Sequence, residues 1–454
     1  MSARMVRIEL RRSSALATGT AIFVITVALL YLLSNGPWQK STGAWHLQWD
    51  SFVYYLRFMH FVLLPVALGG GALLGMRDRR SHVQELFASA PRPAWQRSAH
   101  TAVAVCLAMV AASAAILVAG GVSVVANGGF FHLGWLPVAA VGALSLVAAG
   151  WLGMGVGRLL PSLLTPPVVA AAGFAVLTYA HSTTISAEAY DAPRSSVPEL
   201  LTPMLAGTTR NAFIAVSGTV SAVQLVWFAA VATTALGLLT ASRLGTRIAV
   251  LLPAALGIAV AVTALPRDAE AVYVINEEAT ALVCTETGDV CVTRAHADKL
   301  DALTGPARDA LSRLGRLPDA PKAVAEIPTR GMDKTTRHVP PGVLPLDFDE
   351  LELADEDSTS VRIGLLSGTD PGCDTWYGDE SQAARTIIAS WFVDEFTPLP
   401  DYSGREGEIR QLAEPAWQAL RALPPEAQPQ EVAELRATTQ SCQPDPLAVL
   451  APGA

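Results

Sequence analysis

Residues 101–125 read TAVAVCLAMVAASAAILVAGGVSVV, a run that contains no charged residue and is dominated by Ala and Val. At about 1.5 Å of rise per residue, a helix of this length crosses the roughly 30 Å hydrocarbon core of a bilayer. A helix also satisfies its own backbone hydrogen bonds, which an irregular segment in lipid does not. This run therefore predicts a transmembrane helix.

Other stretches of the first half share this character, and together they predict a helical membrane bundle of about seven spans. The predicted spans are residues 15–33, 52–76, 101–125, 133–154, 163–180, 220–239 and 248–265. The first is expected to be a retained anchor, because bulky Pro37 and Trp38 follow it where a cleavage site needs small residues.

The charge balance of the chain changes after residue 266. Residues 1–266 hold sixteen Lys and Arg against seven Asp and Glu, whereas residues 267–454 hold sixteen against thirty-three. This asymmetry indicates two environments, one of them a membrane, and there is no basic stripe that would suggest nucleic acid. We predict a transmembrane domain over 1–266 and a soluble α+β domain over 267–454, which is long enough to bury its own core.

The arginines of the short loops predict the orientation of the bundle, since basic residues are retained on the cytoplasmic side. Twelve Lys and Arg fall in the N-terminus and in alternate loops, at 4, 7, 11, 12, 77, 79, 80, 92, 97, 158, 243 and 247, against three in the intervening loops, at 40, 194 and 210. The N-terminus is therefore expected in the cytoplasm of a plasma-membrane protein. Seven spans then place the C-terminal domain outside.

Cysteine usage agrees with this orientation, because disulfides persist outside the cytoplasm. Cys106 lies in an apolar span, and the other four cysteines lie in the domain predicted to be outside: Cys284, Cys291, Cys373 and Cys442. Residues 283–292 read as two short strands around a Gly-Asp turn, so a bridge between Cys284 and Cys291 is geometrically natural. Cys373 would then pair with Cys442, although four cysteines allow three pairings. A zinc site is the rival interpretation, but no C-x-x-C pair occurs.

The soluble domain shows mixed periodicity. Residues 271–276 and 360–366 alternate like strands, while residues 300–314 carry a helical apolar face that Pro306 is expected to interrupt. Helices are predicted at 381–395, 404–423 and 431–438, and a long loop at 328–358.

The sequence carries no familiar catalytic motif. It contains no G-x-x-x-x-G-K-[ST] phosphate loop, no H-E-x-x-H helix and no G-x-S-x-G elbow. His296 and His338 are far apart in the sequence, and each is expected to be an ordinary surface or capping histidine. We therefore predict no enzyme activity, no metal and no cofactor.

Two ionisable residues, Arg57 and His60, fall inside the second predicted span. Such groups are costly in lipid and are functional candidates by default. Arg57 lies near the outer end of the span and Asp50, however, so the favoured interpretation is that it snorkels to the interface. Gly71 with Gly75, and Gly153 with Gly157, have the small-x-x-x-small spacing that permits close helix packing.

The loop between the second and third predicted spans, residues 77–97, is the most informative local feature. A basic run leads into Glu85, Leu86 and Phe87, and the segment closes at Pro91 and Arg92. It reads either as an interfacial linker rich in positive charge or as a short docking helix for a cytoplasmic partner.

This basic run, followed by Glu-Leu and a small-residue segment ending in Pro and Arg, resembles the coupling loop of type-2 ATP-binding-cassette exporter permeases. The resemblance covers roughly residues 1–245, including the longer outer loop at 182–218. The C-terminal part, with its Cys-x6-Cys and with Cys373 before a helix that contains Trp391, resembles outer domains appended to such permeases in actinobacteria. A seventh span departs from the plain six-helix permease and leaves a non-transporting role open.

The resemblance implies the membrane subunit of an export system that works as a homodimer or with a second permease. A separate ATPase would dock on the loop, with Glu85, Leu86, Phe87, Pro91 and Arg92 acting mechanically. The alternative, from another class, is a membrane-anchored extracytoplasmic sensor or binding module. A third interpretation is an outer hydrolase.

Overall fold

The computed structural model divides the chain into two compact units, with the boundary between Val274 and Ile275. The first unit is the helix bundle and the second is the C-terminal domain. The structure describes residues 10, 14–32, 44–80, 94–188, 196–205, 213–241, 244–328, 339–346, 348, 358–368, 378–399, 405–441 and 445–450.

The first unit is almost entirely helical. Its elements are α1 Ser14–Leu32, α2 Trp49–Arg80, α3 Ala94–Ala126, α4 Trp135–Leu159, α5 Thr165–Glu188, α6 Val197–Leu200, β1 Ile214–Val216, α7 Gly218–Thr240, α8 Leu244–Ala249, α9 Leu252–Ala264, α10 Ala269–Val272 and β2 Tyr273–Ile275. The two short strands pair with each other.

Within the described residues, six helices are long and apolar enough to cross a membrane, and the chain is therefore a multi-pass helical membrane protein. They are Ser14–Leu32, Trp49–Arg77, Ser98–Ala126, Trp135–Leu159, Gly218–Thr240 and Gly245–Ala264. They correspond to six of the predicted spans. The remaining prediction, residues 163–180, lies in α5, a helix of 24 residues that is not among these six.

The glycines of α2 and α4 pack backbone against backbone. A Cβ atom placed on Gly71 would lie 2.1 Å from the carbonyl oxygen of Gly150, and one on Gly75 would lie 2.1 Å from that of Met154. In return, a Cβ on Gly153 would lie 2.1 Å from the oxygen of Leu68. The spacing noted in the sequence is therefore the contact between these two helices, since only glycine permits so close an approach.

Helices α2, α4 and α7 run in the same direction. The rings of Trp49 and Trp135 stack 4.7 Å apart, so α2 and α4 begin at one end of the bundle, here called the Trp end. At the opposite end, here called the Arg158 end, Nη1 of Arg158 donates to the carbonyl oxygen of Leu239 at 2.7 Å, so α4 and α7 finish together.

Helix α5 runs against this direction. Its first turn lies beside the second half of α2, where a Cβ on Gly69 would be 3.5 Å from the carbonyl oxygen of Pro166. Further along, Phe174 packs on Phe61, which is closer to the Trp end, with ring centroids 4.6 Å apart. The helix therefore leads from the Arg158 end toward the Trp end.

Similar contacts show at which end of the bundle α1 begins and at which end the chain leaves after α9. The Oη atom of Tyr31, at the end of α1, lies 2.8 Å from Oγ of Ser123, near the end of α3, and its ring packs on Trp45 at the Trp end. After α9, the carbonyl oxygen of Val272 accepts from the backbone N–H of Ser217, just before α7. Ser14 thus lies toward the Arg158 end, whereas the chain leaves the bundle at the Trp end.

The second unit contains both helices and strands. Its elements are α11 Glu277–Thr280, β3 Leu282–Cys284, β4 Val290–Thr293, a 3-10 helix Arg294–Lys299, α12 Leu300–Leu314, β5 Ala323–Glu326, β6 Val343–Leu346, α13 Ser358–Ser367, α14 Gly378–Val393, α15 Glu406–Ala422, α16 Gln428–Gln440 and a 3-10 helix Pro446–Leu450. The strand order is β3-β4-β5-β6, with β3 antiparallel to β4 and the other two pairs parallel. The sheet and helices enclose a core that includes Val292, Val324 and Trp391.

Three local predictions in this unit are wrong. Residues 360–366 lie in helix α13 and do not form a strand. Val361 and Leu365 are both buried, and their spacing of four residues fits one face of a helix as well as one face of a strand. Pro306 lies within the single helix α12 rather than between two helices. The predicted loop at 328–358 contains strand β6.

Candidate functional site

The second span carries a buried arginine at the centre of a polar network. Only 1% of Arg57 is exposed. Its Nε atom donates to the carbonyl oxygen of Pro203 at 2.6 Å, and its Nη2 atom donates to Oε1 of Gln224 at 2.8 Å. The guanidinium therefore joins α2 to α7 and to the segment between α6 and β1.

Gln224 is itself held in one orientation. Its Nε2 atom donates to the carbonyl oxygens of Leu200 at 2.8 Å and Thr202 at 3.4 Å, which leaves Oε1 for Arg57. Next to it, Trp227 Nε1 donates to the carbonyl oxygen of Leu201 at 2.9 Å. The carbonyl oxygens of Leu200, Leu201 and Thr202 are thus satisfied by side chains of α7.

Arg57 lines a cavity of about 40 Å³ between α1, α2, α3 and α4, enough for roughly three water molecules or one small ionic group. We call it the Arg57 chamber. Its walls are Thr26, Val53, Leu56, Arg57, His60, Leu63, Ser113, Ile116, Leu117, Ala139, Gly142, Ala143 and Leu146. The lining is mainly apolar, with Arg57 as its cationic group.

One nitrogen of this guanidinium, Nη1, is buried and has no hydrogen-bond partner among the described residues. Its two bonded neighbours, Pro203 and Gln224, supply neutral oxygens, and no described acidic side chain forms an ion pair with Arg57. A buried charge without a counter-charge is unfavourable. The guanidinium therefore keeps one buried NH₂ group without a partner among the described residues.

His60 lies one turn further along α2 and lines the same chamber. Its Nδ1 lies 2.8 Å from the carbonyl oxygen of Leu56, and its Nε2 lies 3.1 Å from that of Gly142. A neutral imidazole donates from only one nitrogen, so each tautomer donates to one of the two carbonyls. The imidazolium donates to both. Ser145 Oγ also donates to the Gly142 oxygen, at 2.7 Å, which keeps that acceptor satisfied in either tautomer.

The structure contradicts the expectation that Arg57 snorkels to the interface. Asp50, the expected neighbour, instead lies 3.0 Å from Nε2 of His132. The Nδ1 atom of that histidine accepts from the backbone N–H of Gly134 at 3.1 Å, so Nε2 carries the proton that is donated to Asp50. Arg57 faces the bundle interior, where its partners come from residues more than 140 positions away.

The other predicted site residues are only partly described. Cys284 and Cys291 form a disulfide across the β3–β4 hairpin, as the sequence predicts. Cys373 and Cys442, and with them their predicted pairing, lie outside the described residues. So do Glu85, Leu86, Phe87, Pro91 and Arg92 of the predicted coupling loop, and so does His338.

A second buried polar cluster lies in the C-terminal unit, and the sequence interpretation missed it. His296 is buried, and its Nδ1 lies 2.6 Å from Oε1 of Glu326. The other carboxylate oxygen accepts from the backbone N–H and the hydroxyl of Thr293, at 2.7 and 2.8 Å. The prediction of a surface histidine is therefore wrong. Glu326 is the last residue of β5, and its side chain is buried. The sequence could have indicated this cluster only through the position of an acidic residue on a buried strand.

At the tip of the β3–β4 hairpin, Asp289 accepts hydrogen bonds from several donors. Arg308 reaches it with Nε at 2.7 Å, and the Thr285 hydroxyl donates at 2.7 Å. The hydrogen bonds from Arg308 hold the pKa of Asp289 well below its usual value, with Thr287 and Thr285 adding to the effect. These contacts order an exposed turn.

Among the residues that the structure describes, no group of three or more His, Cys, Asp or Glu side chains is arranged to hold a metal ion. Comparison of the chain with protein-family models, with curated proteins and with solved structures finds no match. The buried polar network around Arg57, beside a cavity of about 40 Å³, is therefore the candidate site of the described bundle.

Proposed function

We propose that this chain is the membrane-spanning, permease-like subunit of an export system whose ATP hydrolysis resides in a separate chain. The observation that carries the proposal is the Arg57 chamber. A bundle that only holds an outer domain in place needs nothing but apolar spans. A fully buried arginine that joins α2 to α7 and to the chain before β1, beside a cavity between four helices, fits a substrate path better than an anchor.

The directions of the helices support seven crossings. Because α4 ends and α7 begins at opposite ends of the bundle, the chain between them has to return through its full depth. Helix α5 is 24 residues long, or about 36 Å at the usual rise, and it lies antiparallel to α2.

The distribution of charge supports a cytoplasmic N-terminus. The Arg158 end carries Arg77, Arg158 and Arg247, and basic residues are retained on the cytoplasmic side. The predicted coupling loop connects the two helix ends at this same end, after α2 and before α3. The chain leaves for the C-terminal unit at the opposite end, in accord with the disulfide in that unit.

The partner is tested by affinity purification of the tagged full-length chain from its own cells in mild detergent. The expected co-purifying protein is an ATPase with a phosphate loop. Phe87→Ala and Glu85→Ala should lose it, whereas Phe131→Ala, which removes a Phe from the loop at the Trp end, should retain it. If wild-type chain brings down no ATPase, or the loop variants retain it, the export proposal fails and a membrane-anchored binding module becomes the better account.

The orientation is tested by labelling intact cells with a membrane-impermeant maleimide after reduction. Two single-cysteine chains are compared, one that retains only Cys284 and one that carries only Ser162→Cys in the turn after α4. We expect Cys284 to react in intact cells and the Ser162→Cys chain to react only after permeabilisation. The reverse pattern, or protection of both, would contradict seven crossings with the C-terminal unit outside.

A further inference from the structure

We propose that the Arg158 end of the bundle binds the head group of an anionic phospholipid, through two exposed arginines that lie at the end of α7. The inference goes beyond the proposed function and does not depend on it, because a lipid can occupy this surface whether or not the chain takes part in transport.

The two arginines reach the end of α7 from two neighbouring helices. Nη1 of Arg158, on α4, donates to the carbonyl oxygen of Leu239 and to Oγ of Ser98, both at 2.7 Å. Nε of Arg247, on α8, lies 3.5 Å from the carbonyl oxygen of Ala241, two residues further along the chain. Both arginine side chains are exposed, and each uses one guanidinium nitrogen for these contacts. The same end of one helix therefore carries two accessible cations.

The charge at this end exceeds what the helix terminus itself can balance. The last carbonyl groups of a helix carry about half a negative charge, whereas Arg158 and Arg247 supply two positive ones. Neither arginine forms an ion pair with an acidic side chain among the described residues. The acidic side chains that the structure describes in the bundle all lie toward the Trp end: Asp50, Glu199 and Asp268. Capping of α7 thus leaves a surplus of positive charge, which selects an anion.

The apolar neighbours of the two arginines indicate that this anion belongs to a lipid. Arg158 is the second-last residue of its span, and Arg247 is the third residue of its own. Directly beside them, Leu160 and Ile248 are 63% and 64% exposed. In a phospholipid, the charged phosphate lies at the boundary of the bilayer and the acyl chains begin next to it. Such a molecule matches a cation beside an exposed apolar side chain, whereas a soluble anion would contact only the cation.

The test measures lipid binding to the purified full-length chain in detergent, by native mass spectrometry. The probes are dioleoyl phosphatidylglycerol and dioleoyl phosphatidylcholine, which share their acyl chains and differ in net charge. One arginine near an anionic surface contributes about a fivefold factor in binding. We therefore expect phosphatidylglycerol to bind at least about fivefold more tightly. Inorganic phosphate at the same concentration should not displace it, because it has no acyl chain to contact the apolar neighbours.

Three substitutions localise the binding. Arg247→Gln removes one of the two charges and should weaken binding of phosphatidylglycerol by about fivefold, with little effect on phosphatidylcholine. Arg247→Lys keeps the charge and should restore most of the binding. Arg267→Gln removes an exposed arginine after α9, at the Trp end, and should bind like wild type. Arg158 is left intact, because its bonds also hold α3 and α4 to α7.

Each alternative result overturns the inference. Equal binding of the two phospholipids would show that charge does not select the ligand. Wild-type binding by the Arg247→Gln chain, with its fold checked by circular dichroism, or an equal loss in the Arg267→Gln chain, would place the lipid elsewhere. Displacement by inorganic phosphate would assign the surface to a soluble anion. None of these results bears on co-purification of an ATPase, so the inference and the proposed function can fail separately.

Discussion

Two neighbouring glycines of α2 should respond to the same substitution with opposite signs. Replacing either Gly69 or Gly71 by Ala favours the helix by up to about 1 kcal/mol. At Gly69 the new methyl would meet Ala170 and Pro166 at 3.5 Å, an ordinary contact. At Gly71 it would lie 2.1 Å from the carbonyl oxygen of Gly150, so α2 and α4 must separate by more than 1 Å.

Alanine favours the helix equally in both variants. The difference in stability between the two variants therefore measures the cost of forcing two backbones apart. Overpacking of a tight interface typically costs about 1–3 kcal/mol, and backbone yields less readily than a side chain. We expect Gly69→Ala to match or exceed wild type in thermal stability and Gly71→Ala to fall below it by that amount. The measurement is thermal unfolding in nanodiscs, followed by circular dichroism. A Gly71→Ala chain as stable as Gly69→Ala would refute the backbone contact between α2 and α4.

Further predictions concern the C-terminal unit. Glu326→Ala removes the acceptor shared by Thr293 and His296 and leaves buried donors unpaired, at roughly 1–3 kcal/mol each; hydrogen exchange at the Thr293 amide should rise accordingly, and unchanged protection would contradict the cluster. Since Arg308 lowers the pKa of Asp289, the stabilisation it supplies is complete above the unfolded value of about 4 and is lost as the pH falls below it. Hydrogen exchange at the hairpin tip should therefore become acid-sensitive in wild type but not in Asp289→Asn, once both are corrected for intrinsic exchange. An equal response in both chains would show that Asp289 does not cause the acid sensitivity.

The membrane bundle was predictable because its signal is local. Long apolar runs identify the spans to within a few residues. Six of the predicted spans coincide with long apolar helices. The hairpin around Cys284 and Cys291 was predictable for the same reason, since both strands and their turn lie within the twelve residues from Leu282 to Thr293. The 3.6-residue period also identified α12, although local rules placed a break at Pro306 that the surrounding core overrides.

The candidate site was only half predictable. The sequence identified Arg57 and His60 as unusual, but it placed Arg57 at the interface because Asp50 is the nearest acid along the helix. The residues that hold Arg57, Pro203 and Gln224, are separated from it by 146 and 167 positions. No local pattern specifies such partners, so burial of this arginine could only follow from how α2, α7 and the chain between them pack.

Arg57 and His296 are two places where the local expectation failed, and they differ in one respect that separates a candidate site from a structural cluster. Local rules are expected to fail at functional or strained positions. In the C-terminal unit the carboxylate of Glu326 accepts from Thr293 and faces His296, so the cluster supplies its own charge partner and hydrogen bonds. In the bundle, Arg57 keeps a buried donor with neither a partner nor a counter-charge among the described residues, beside a cavity between four helices. Because a buried charge without a counter-charge does not favour stability, the Arg57 network rather than the His296 cluster is the candidate for function.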